Sequence, residues 1–169
     1  MRLGKGKRIW LLLVIVLAGG VVTLAMFSLF SRRPSNLGIT NGRLAPCPDT
    51  PDCVCTQDAD DTHRIEPLAY EGTPREAMAR LKAILTAFPR VNIVSESDAY
   101  LHAEFTSLIF RFVDDVEFLI DDGRKVIDFR SASRVGRSDL GVNRRRMEAI
   151  REKWNRQEAK SAKQEENSL

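Results

Sequence analysis

The stretch Phe112–Arg130, FVDDVEFLIDDGRKVIDFR, indicates two β-strands joined by a tight turn. Apolar and polar residues alternate through Phe112–Ile120 and Lys125–Arg130, and β-branched and aromatic side chains are frequent in both segments. Asp122 and Gly123 between them tolerate the positive φ angles of a two-residue hairpin turn. The stretch therefore predicts an antiparallel β-hairpin.

A two-residue turn at Asp122–Gly123 also predicts which residues face each other. Phe118 then lies opposite Ile127 on an apolar side, and Glu117 lies opposite Asp128 on a polar side. Two carboxylates in direct opposition disfavour pairing by roughly 0.2–1 kcal/mol, so this pair needs a nearby arginine, a cation or full solvation.

Further strands and helices flank the hairpin. Strands are predicted at Val91–Ser95 and Leu101–Thr106 from the same alternation. Thr73 and Glu76 form a capping-box pattern that begins an amphipathic helix, and a last helix begins near Asn143. We therefore predict an α+β domain with a four-stranded antiparallel sheet and helices on one of its faces.

A longer apolar segment lies near the amino terminus. Trp10–Phe30 has 21 residues without a charge, and as a helix it would be about 31 Å long, which matches the hydrocarbon core of a bilayer. Four basic residues precede it and two follow, which favours a cytoplasmic amino terminus. A cleaved signal peptide is the alternative, although no A-x-A-like triplet follows the segment. We therefore predict a single transmembrane helix that contacts lipid through Trp10–Phe30.

Composition divides the chain into five parts. They are a basic cytoplasmic segment (1–9), the transmembrane helix (10–30), a flexible stalk rich in Ser, Asn and Gly (31–44), an extracytoplasmic α+β domain (45–157) and a disordered polar tail (158–169).

All three cysteines lie within CPDTPDCVC, residues 47–55. On the oxidising side of a membrane two of them should pair. Two prolines stiffen the loop between Cys47 and Cys53, which favours that pair, and Cys47 with Cys55 is the competitor. A metal or redox role together with His63 has no matching zinc spacing. We therefore predict a structural disulfide and no metal centre.

Carboxylates form an acidic cluster on the predicted strands: Asp114, Asp115, Glu117 and Asp128. Asp114 falls on the apolar side of its strand, where an unpaired carboxylate costs several kcal/mol. Either a β-bulge shifts the register at this point, or an arginine pairs with Asp114. Together with His102 of the preceding strand, these carboxylates have the ligand types that bind a divalent cation.

An arginine- and serine-rich loop follows the hairpin, from Arg130 to Arg146 (RSASRVGRSDLGVNRRR). It has six arginines and one aspartate, hence a charge of +5. This charge predicts either internal ion pairs with the acidic strand or an anion-binding site at the start of the last helix. The candidate ligand-binding residues are Arg130, Ser131, Ser133, Arg134, Ser138, Asp139, Asn143 and Arg146.

Charge and motif content limit the possible functions. The net charge of +3 is too small to indicate a nucleic-acid binder, and there is no nucleophile elbow, glycine-rich phosphate loop or HExxH motif. We expect a non-catalytic binding or assembly module that takes an anionic ligand or a partner protein through the Arg/Ser loop, without a cofactor. The alternative is a metal-dependent or hydrolase-like enzyme that uses Asp114, Asp115 and Glu117.

Three motifs, CPDTPDCV, FRFVDDVEF and RSASRVGRSDLGVNRRRME, resemble the domain-of-unknown-function family 1499 over roughly Leu44–Trp154. The resemblance implies a small bacterial or plastid protein with an amino-terminal export or membrane segment, and it implies no particular activity. We accordingly expect a single-pass protein of the bacterial inner membrane, with its amino terminus cytoplasmic and its carboxy-terminal domain periplasmic or otherwise extracytoplasmic. Cys55 stands where the family has Ser, and Asp52 where it has Asn. The family pattern falls on Cys47, Pro48, Pro51, Cys53, Asp114, Asp115, Glu117, Arg130, Ser131, Ser133, Arg134, Gly136, Ser138, Asp139, Gly141, Asn143 and Arg146.

Overall fold

A computed structural model describes residues 4–29 and 32–166 of the chain. The helices are α1 (Lys5–Leu29), α2 (Pro74–Thr86) and α3 (Val142–Glu166). The strands are β1 (Cys53–Cys55), β2 (Leu68–Ala69), β3 (Val91–Glu96), β4 (Tyr100–Thr106), β5 (Val113–Asp121) and β6 (Val126–Ser133). Phe30 and Ser31, where the predicted membrane segment meets the predicted stalk, lie outside the described residues.

The strands form one antiparallel sheet in the order β1-β6-β5-β4-β3, and β2 also pairs with β6. The predicted α+β class and the four predicted strands are confirmed. The predicted strand count is too low, because β1 and β2 join the same sheet. With three and two residues, these strands are too short for an alternating apolar pattern to appear in the sequence.

The connection between β5 and β6 is longer than predicted. Asp121 pairs with Val126, so four residues form the loop and the two-residue turn is wrong. Lys125, the last loop residue, takes a left-handed φ of +53°. The register therefore differs by two residues, which keeps each side chain on its predicted face but places Glu117 opposite Arg130 and not opposite another carboxylate.

Helices α2 and α3 pack on one face of the sheet. Leu81 and Leu85 of α2, and Met147, Ile150 and Trp154 of α3, are buried in a single apolar cluster with the strands. The strand residues of this cluster include Leu101, Ala103, Phe105, Val116, Phe118, Ile120, Ile127 and Phe129. Within each strand these residues are two positions apart, as period-2 alternation requires for side chains on one face.

The amino terminus of α2 follows the predicted capping box. The Thr73 hydroxyl accepts the backbone N–H of Glu76, and the Glu76 carboxylate accepts the backbone N–H of Thr73 at 2.9 Å. Two of the amide groups that a helix start leaves without intrahelical partners are thereby satisfied.

The two ends of the sheet carry different loops. At one end, residues 107–112 join β4 to β5, and residues 134–141 join β6 to α3. We call this end the Arg33 end, because Arg33 pairs with Glu104 close to it. At the other end, residues 97–99 join β3 to β4, and we call it the Asp98 end.

Helix α3 runs from the Arg33 end to the Asp98 end. It starts beside Ser133, which accepts a hydrogen bond from Asn143, and it reaches β2, where Trp154 Nε1 donates to the carbonyl of Ala69 at 2.8 Å. It then continues to Glu166, so the disorder predicted from residue 158 onward is corrected for residues 158–166. Ala, Glu, Lys and Gln, which are good helix formers, dominate that segment and propagate a helix already begun.

Residues 32–44 do not behave as the predicted flexible stalk. Arg33 bonds to Glu104 on β4, and the backbone N–H of Gly38 donates to Glu117 on β5 at 2.6 Å. Leu44 is buried. The segment packs along the face of the sheet opposite the helices, because that face carries charged residues that need hydrogen-bond partners away from water.

Helix α1 is long and apolar enough to cross a membrane. Its Gly6–Thr23 window has a mean hydropathy of 1.8, and none of that window is buried inside the protein. A signal sequence near an amino terminus has the same properties.

Candidate functional site

The predicted site residues separate into two networks on opposite faces of the sheet. Neighbouring strand residues point to opposite faces, so Arg130 and Ser131 cannot contribute to one site. The network on the face covered by residues 32–44, here the outer network, contains Tyr100, His102, Glu104, Asp115, Glu117, Arg130 and Arg134. Asp128 lies on the same face but bonds to other residues. The network under α3, here the helix-side network, contains Asp114, Ser131, Ser133, Asn143 and Arg146.

Asp115 is the centre of the outer network. Arg134 donates to both of its carboxylate oxygens, from Nε at 2.7 Å and from Nη2 at 2.6 Å, and His102 Nε2 lies 2.7 Å from Oδ1. Burial would raise the pKa of the Asp115 carboxyl, but the bonds from Arg134 and His102 outweigh burial and hold that pKa below its usual range. Asp115 is therefore an ionised, fully bonded carboxylate.

Arg134 joins two strands through its second carboxylate partner. Its Nη2 also donates to Glu104 on β4, and Glu104 in turn accepts from Arg33 at 2.7 Å. The hydrogen bonds that Arg134 donates to Asp115 raise the pKa of the Arg134 guanidinium further above its already high value. Arg134 therefore stays charged and bridges β4, β5 and the loop that follows β6.

The Glu117 carboxylate interacts with three other residues. It is 0% exposed, and its Oε1 accepts the Tyr100 hydroxyl at 2.7 Å and the Gly38 backbone N–H at 2.6 Å. Arg130, directly opposite on β6, lies 3.4 Å from Oε2. Burial and the bond to Glu117 raise the pKa of Tyr100, so its hydroxyl stays protonated and donating.

Asp128 is separate from the other carboxylates. It accepts from the Thr56 hydroxyl at 2.7 Å, from Gln57 Nε2 at 2.9 Å and from Arg124. The predicted acidic cluster is therefore divided among different partners and does not form one site.

The helix-side network ties the start of α3 to β5 and β6. Arg146 bonds to the Asp114 carboxylate and donates through Nη1 to Asn143 Oδ1 at 2.6 Å. Its guanidinium carbon lies 4.8 Å from the centroid of the Phe105 ring. Because the β5 register is continuous at Asp114, no bulge occurs there, and the arginine explanation for its inward position is confirmed.

Asn143 joins the remaining members of this network. Its Nδ2 donates to the carbonyl of Asp52 at 2.9 Å and to Ser133 Oγ at 3.0 Å, and its Oδ1 accepts from the Ser131 hydroxyl. Asp139 supplies the capping bonds of α3, since its carboxylate accepts the backbone N–H groups of Gly141 and Asn143. The buried members of the predicted ligand-binding set thus position the loop.

Apart from Ser138, the exposed residues of the Arg/Ser loop are not those predicted to bind ligand. Arg134 holds one end of the loop and the Asn143–Arg146 contacts hold the other, whereas Arg137, Ser138 and Leu140 at its tip are exposed. Of these, sequence reasoning proposed only Ser138.

One group of side chains has the geometry of a cation site. In the described part of the chain, His102, Glu104 and Asp115 each offer a ligand atom, and these atoms lie within 4.8 Å of one another. Arg134 donates to both carboxylates of this group, so a guanidinium already supplies the positive charge that a cation would bring.

The disulfide joins Cys47 to Cys53, as favoured from the sequence. It ties the segment that covers the outer network to β1. Cys55 is a free, buried thiol whose pKa is raised by burial. His63 Nδ1 lies 3.1 Å from the carbonyl oxygen of Cys53, which gives the ring a backbone partner.

Sequence reasoning missed several contributors to the outer network, among them Gly38 and Tyr100. Gly38 lies in a segment whose composition predicts a stalk, and no pattern in the sequence indicates that its N–H meets Glu117. Tyr100 precedes the predicted strand by one residue, and an aromatic residue with a hydroxyl at a strand start is a weak signal for a buried hydrogen bond.

A family model described as Protein of unknown function (DUF1499) matches residues 43–154. The match includes both networks, the disulfide and the Arg/Ser loop. No curated protein and no solved structure matches the chain.

Proposed function

The chain belongs to the DUF1499 family, and from that premise we propose that it is a non-catalytic binding or assembly module held in a membrane by α1. The folded domain would lie outside the cytoplasm and take an anionic ligand or a partner protein through the exposed tip of the Arg/Ser loop. A bacterial inner membrane with the amino terminus on the cytoplasmic side is the corresponding location.

The single observation that supports the proposal is that the candidate catalytic carboxylates are already bonded to other side chains of the protein. Asp114 bonds to Arg146, Asp115 to Arg134, and Glu117 to Arg130 and Tyr100. A general base or a metal ligand needs a lone pair that is free to meet substrate or cation. Carboxylates bound to arginine in this way are suited to structural ion pairing.

The location is supported by charge and by sulfur chemistry. Basic residues are more numerous before the apolar helix than after it, which favours a cytoplasmic amino terminus. The Cys47–Cys53 disulfide is typical of a domain that faces an oxidising compartment.

The binding surface is tested with full-length chain extracted from its native membrane and examined by native mass spectrometry. We expect a co-purifying anion or partner that is lost in Arg137→Ala, because Arg137 is exposed at the loop tip. Arg75→Ala is the matched control, since Arg75 is an exposed arginine at the start of α2. Retention of the bound species in Arg137→Ala would contradict the proposal.

A metal-dependent enzyme remains the second candidate, and the His102, Glu104 and Asp115 geometry favours it. If this group took a cation, Mn²⁺ or Zn²⁺ would raise the thermal unfolding midpoint of the full chain, and His102→Ala would abolish the rise. Because Arg134 already neutralises the group, we expect no such rise.

A further inference from the structure

We propose that the Arg33 end of the sheet docks on the surface of the bilayer that α1 crosses. Apolar side chains of its two loops would enter the lipid interface, and exposed arginines would bind anionic headgroups. This inference rests on the proposed membrane anchor and identifies the anionic partner of the exposed loop tip as lipid.

Large apolar side chains are exposed together at this end. Leu108 is 69% exposed and Ile109 is 64% exposed in the loop between β4 and β5, and Leu140 is 83% exposed in the Arg/Ser loop. The two loops adjoin, because the backbone N–H of Arg134 donates to the carbonyl of Val113 at 3.1 Å. Single exposed apolar residues are common, but a group at one end of a domain is typical of a partner or membrane surface.

The β4–β5 loop has a firm base beneath its apolar tip. Phe110 and Phe112 stack with their ring centroids 5.5 Å apart, and the backbone N–H of Phe112 donates to the hydroxyl of Ser107 at 2.8 Å. The tip therefore projects from an ordered turn, as an inserting side chain requires.

The charge at this end suits anionic headgroups. Arg90, Arg137 and Arg145 are exposed there, whereas Asp114 is bonded to Arg146 and Asp139 caps α3. Arginine binds phosphate through two parallel N–H donors and stays charged at all relevant pH values. Basic residues close to a membrane surface are attracted to anionic lipid.

The covalent connection to α1 brings this end of the sheet towards lipid. Helix α1 ends at Leu29, and Arg33, four residues later, bonds to Glu104 at 2.7 Å. Four residues extend at most about 14 Å. Asp98 is six residues before Glu104, which corresponds to about 20 Å farther along the sheet. If α1 spans the bilayer, this short connection keeps the Arg33 end close to its surface.

The experiment uses full-length chain in vesicles of phosphatidylcholine and phosphatidylglycerol, on a Cys55→Ser background and without reductant so that the disulfide persists. An environment-sensitive fluorophore is attached at Leu108→Cys and, as the matched control, at Asp98→Cys. We expect nitroxide-labelled lipid to quench the label at position 108 and to leave the label at position 98 unquenched. Alkaline carbonate extraction of the same vesicles reports whether α1 is embedded.

A charge variant tests the part played by headgroups. Arg137→Glu should lower quenching at position 108 about twofold or more, and Arg75→Glu should leave it unchanged, because only the former removes a cation from the docked end. Circular dichroism of both variants verifies the fold.

Four outcomes overturn the inference. Release of the chain by carbonate overturns the anchor and the docking together. The chain could instead stay in the membrane while the label at position 108 is unquenched, or while the labels at positions 98 and 108 are quenched equally. Either result overturns the docking alone and is compatible with the proposed membrane-anchored module. Shielding of position 108 only after membrane proteins are added assigns this end to a protein partner and overturns lipid docking.

Discussion

Among single residues, Arg134 has the widest reach in the outer network. It bonds to Asp115 on β5 and to Glu104 on β4, and Glu104 also bonds to Arg33 in the covering segment. Three parts of the chain that are distant in sequence therefore meet at one guanidinium. Such a charge is needed because Asp115 is 1% exposed and, if unpaired, would be a buried anion.

Removing this guanidinium should destabilise the fold. We expect Arg134→Ala to lower the free energy of unfolding by about 3–5 kcal/mol, since it removes the guanidinium that pairs with the buried Asp115 carboxylate. Thermal or denaturant unfolding of full-length chain in detergent measures the change. Arg137→Ala is the control, with an expected change within about 0.5 kcal/mol because Arg137 is exposed. Equal effects of the two substitutions would refute the structural role of Arg134.

The same pair predicts a dependence on acid. The pKa of Asp115 in the folded chain lies below its ordinary value of 3.8. A carboxyl with a lowered folded pKa stabilises the fold above the unfolded pKa, and that stabilisation disappears as the pH falls through the folded pKa.

The unfolding midpoint should therefore fall as the pH drops below about 4, and Asp115→Asn should flatten that part of the curve. Asp98→Asn, at an exposed turn, should leave the curve unchanged. A curve that falls with the same slope in wild type and in Asp115→Asn would show that other groups cause the acid sensitivity.

Residue types in this network were predictable, but their grouping was not. The balance of charge between the acidic strand and the Arg/Ser loop correctly indicated arginine partners for Asp114 and Asp115. The anion-site hypothesis, however, combined Arg130 with Ser131, which alternate strand geometry places on opposite faces. Contacts such as Gly38 with Glu117 depend on tertiary packing, for which the local sequence carries no signal.

At the scale of elements, the segment before β1 departs most from its prediction, because it covers the sheet and is not a stalk. Residues 32–47 cover the polar face of the sheet, and the Cys47–Cys53 disulfide attaches their far end to β1. The sheet is thus covered by helices on one face and by an irregular, stapled segment on the other. The charged face of the sheet that carries the outer network can be kept from water in this way without a further helix packed on it.

The disulfide should stabilise this cover measurably. Closing a loop with a sequence separation of 6 contributes about 2 kcal/mol, so dithiothreitol should lower the unfolding midpoint of the wild type. Cys47→Ser should remove the effect of the reductant, and Cys55→Ser should preserve it. Loss of the effect in Cys55→Ser would mean that Cys55 forms the bridge.

Elements with strong local signals were predicted, and those without them were not. The Thr73–Glu76 capping box gave the start of α2, and alternation gave the four long strands. The two-residue turn failed because Asp122–Gly123 is compatible with several loop lengths, and only packing of the strands selects the four-residue loop. The short strands β1 and β2 exist because β6 offers them an edge.

At the scale of the whole molecule, the proposed anchor predicts a membrane topology in which the folded domain lies outside the cytoplasm. Alkaline phosphatase is active only after export, so a fusion to the carboxy terminus should be active if the domain lies outside the cytoplasm. The fusion protein should also stay in the membrane after alkaline carbonate extraction, as a spanning helix does. An inactive phosphatase, with a cytoplasmic reporter active at the same position, would place the domain inside the cell.

The length of α3 has a mechanical consequence. Trp154 is buried in the apolar cluster, and Glu158 still pairs with Arg80 of α2. The helix continues to Glu166, so about 12 Å of helix follows that ion pair on the side of the sheet far from Arg33. If the Arg33 end docks on lipid as proposed, a reporter fused after Glu166 would be held at a fixed distance from the bilayer, which a flexible tail would not maintain. Shortening the helix residue by residue would move that reporter by about 1.5 Å and rotate it by about 100° per step.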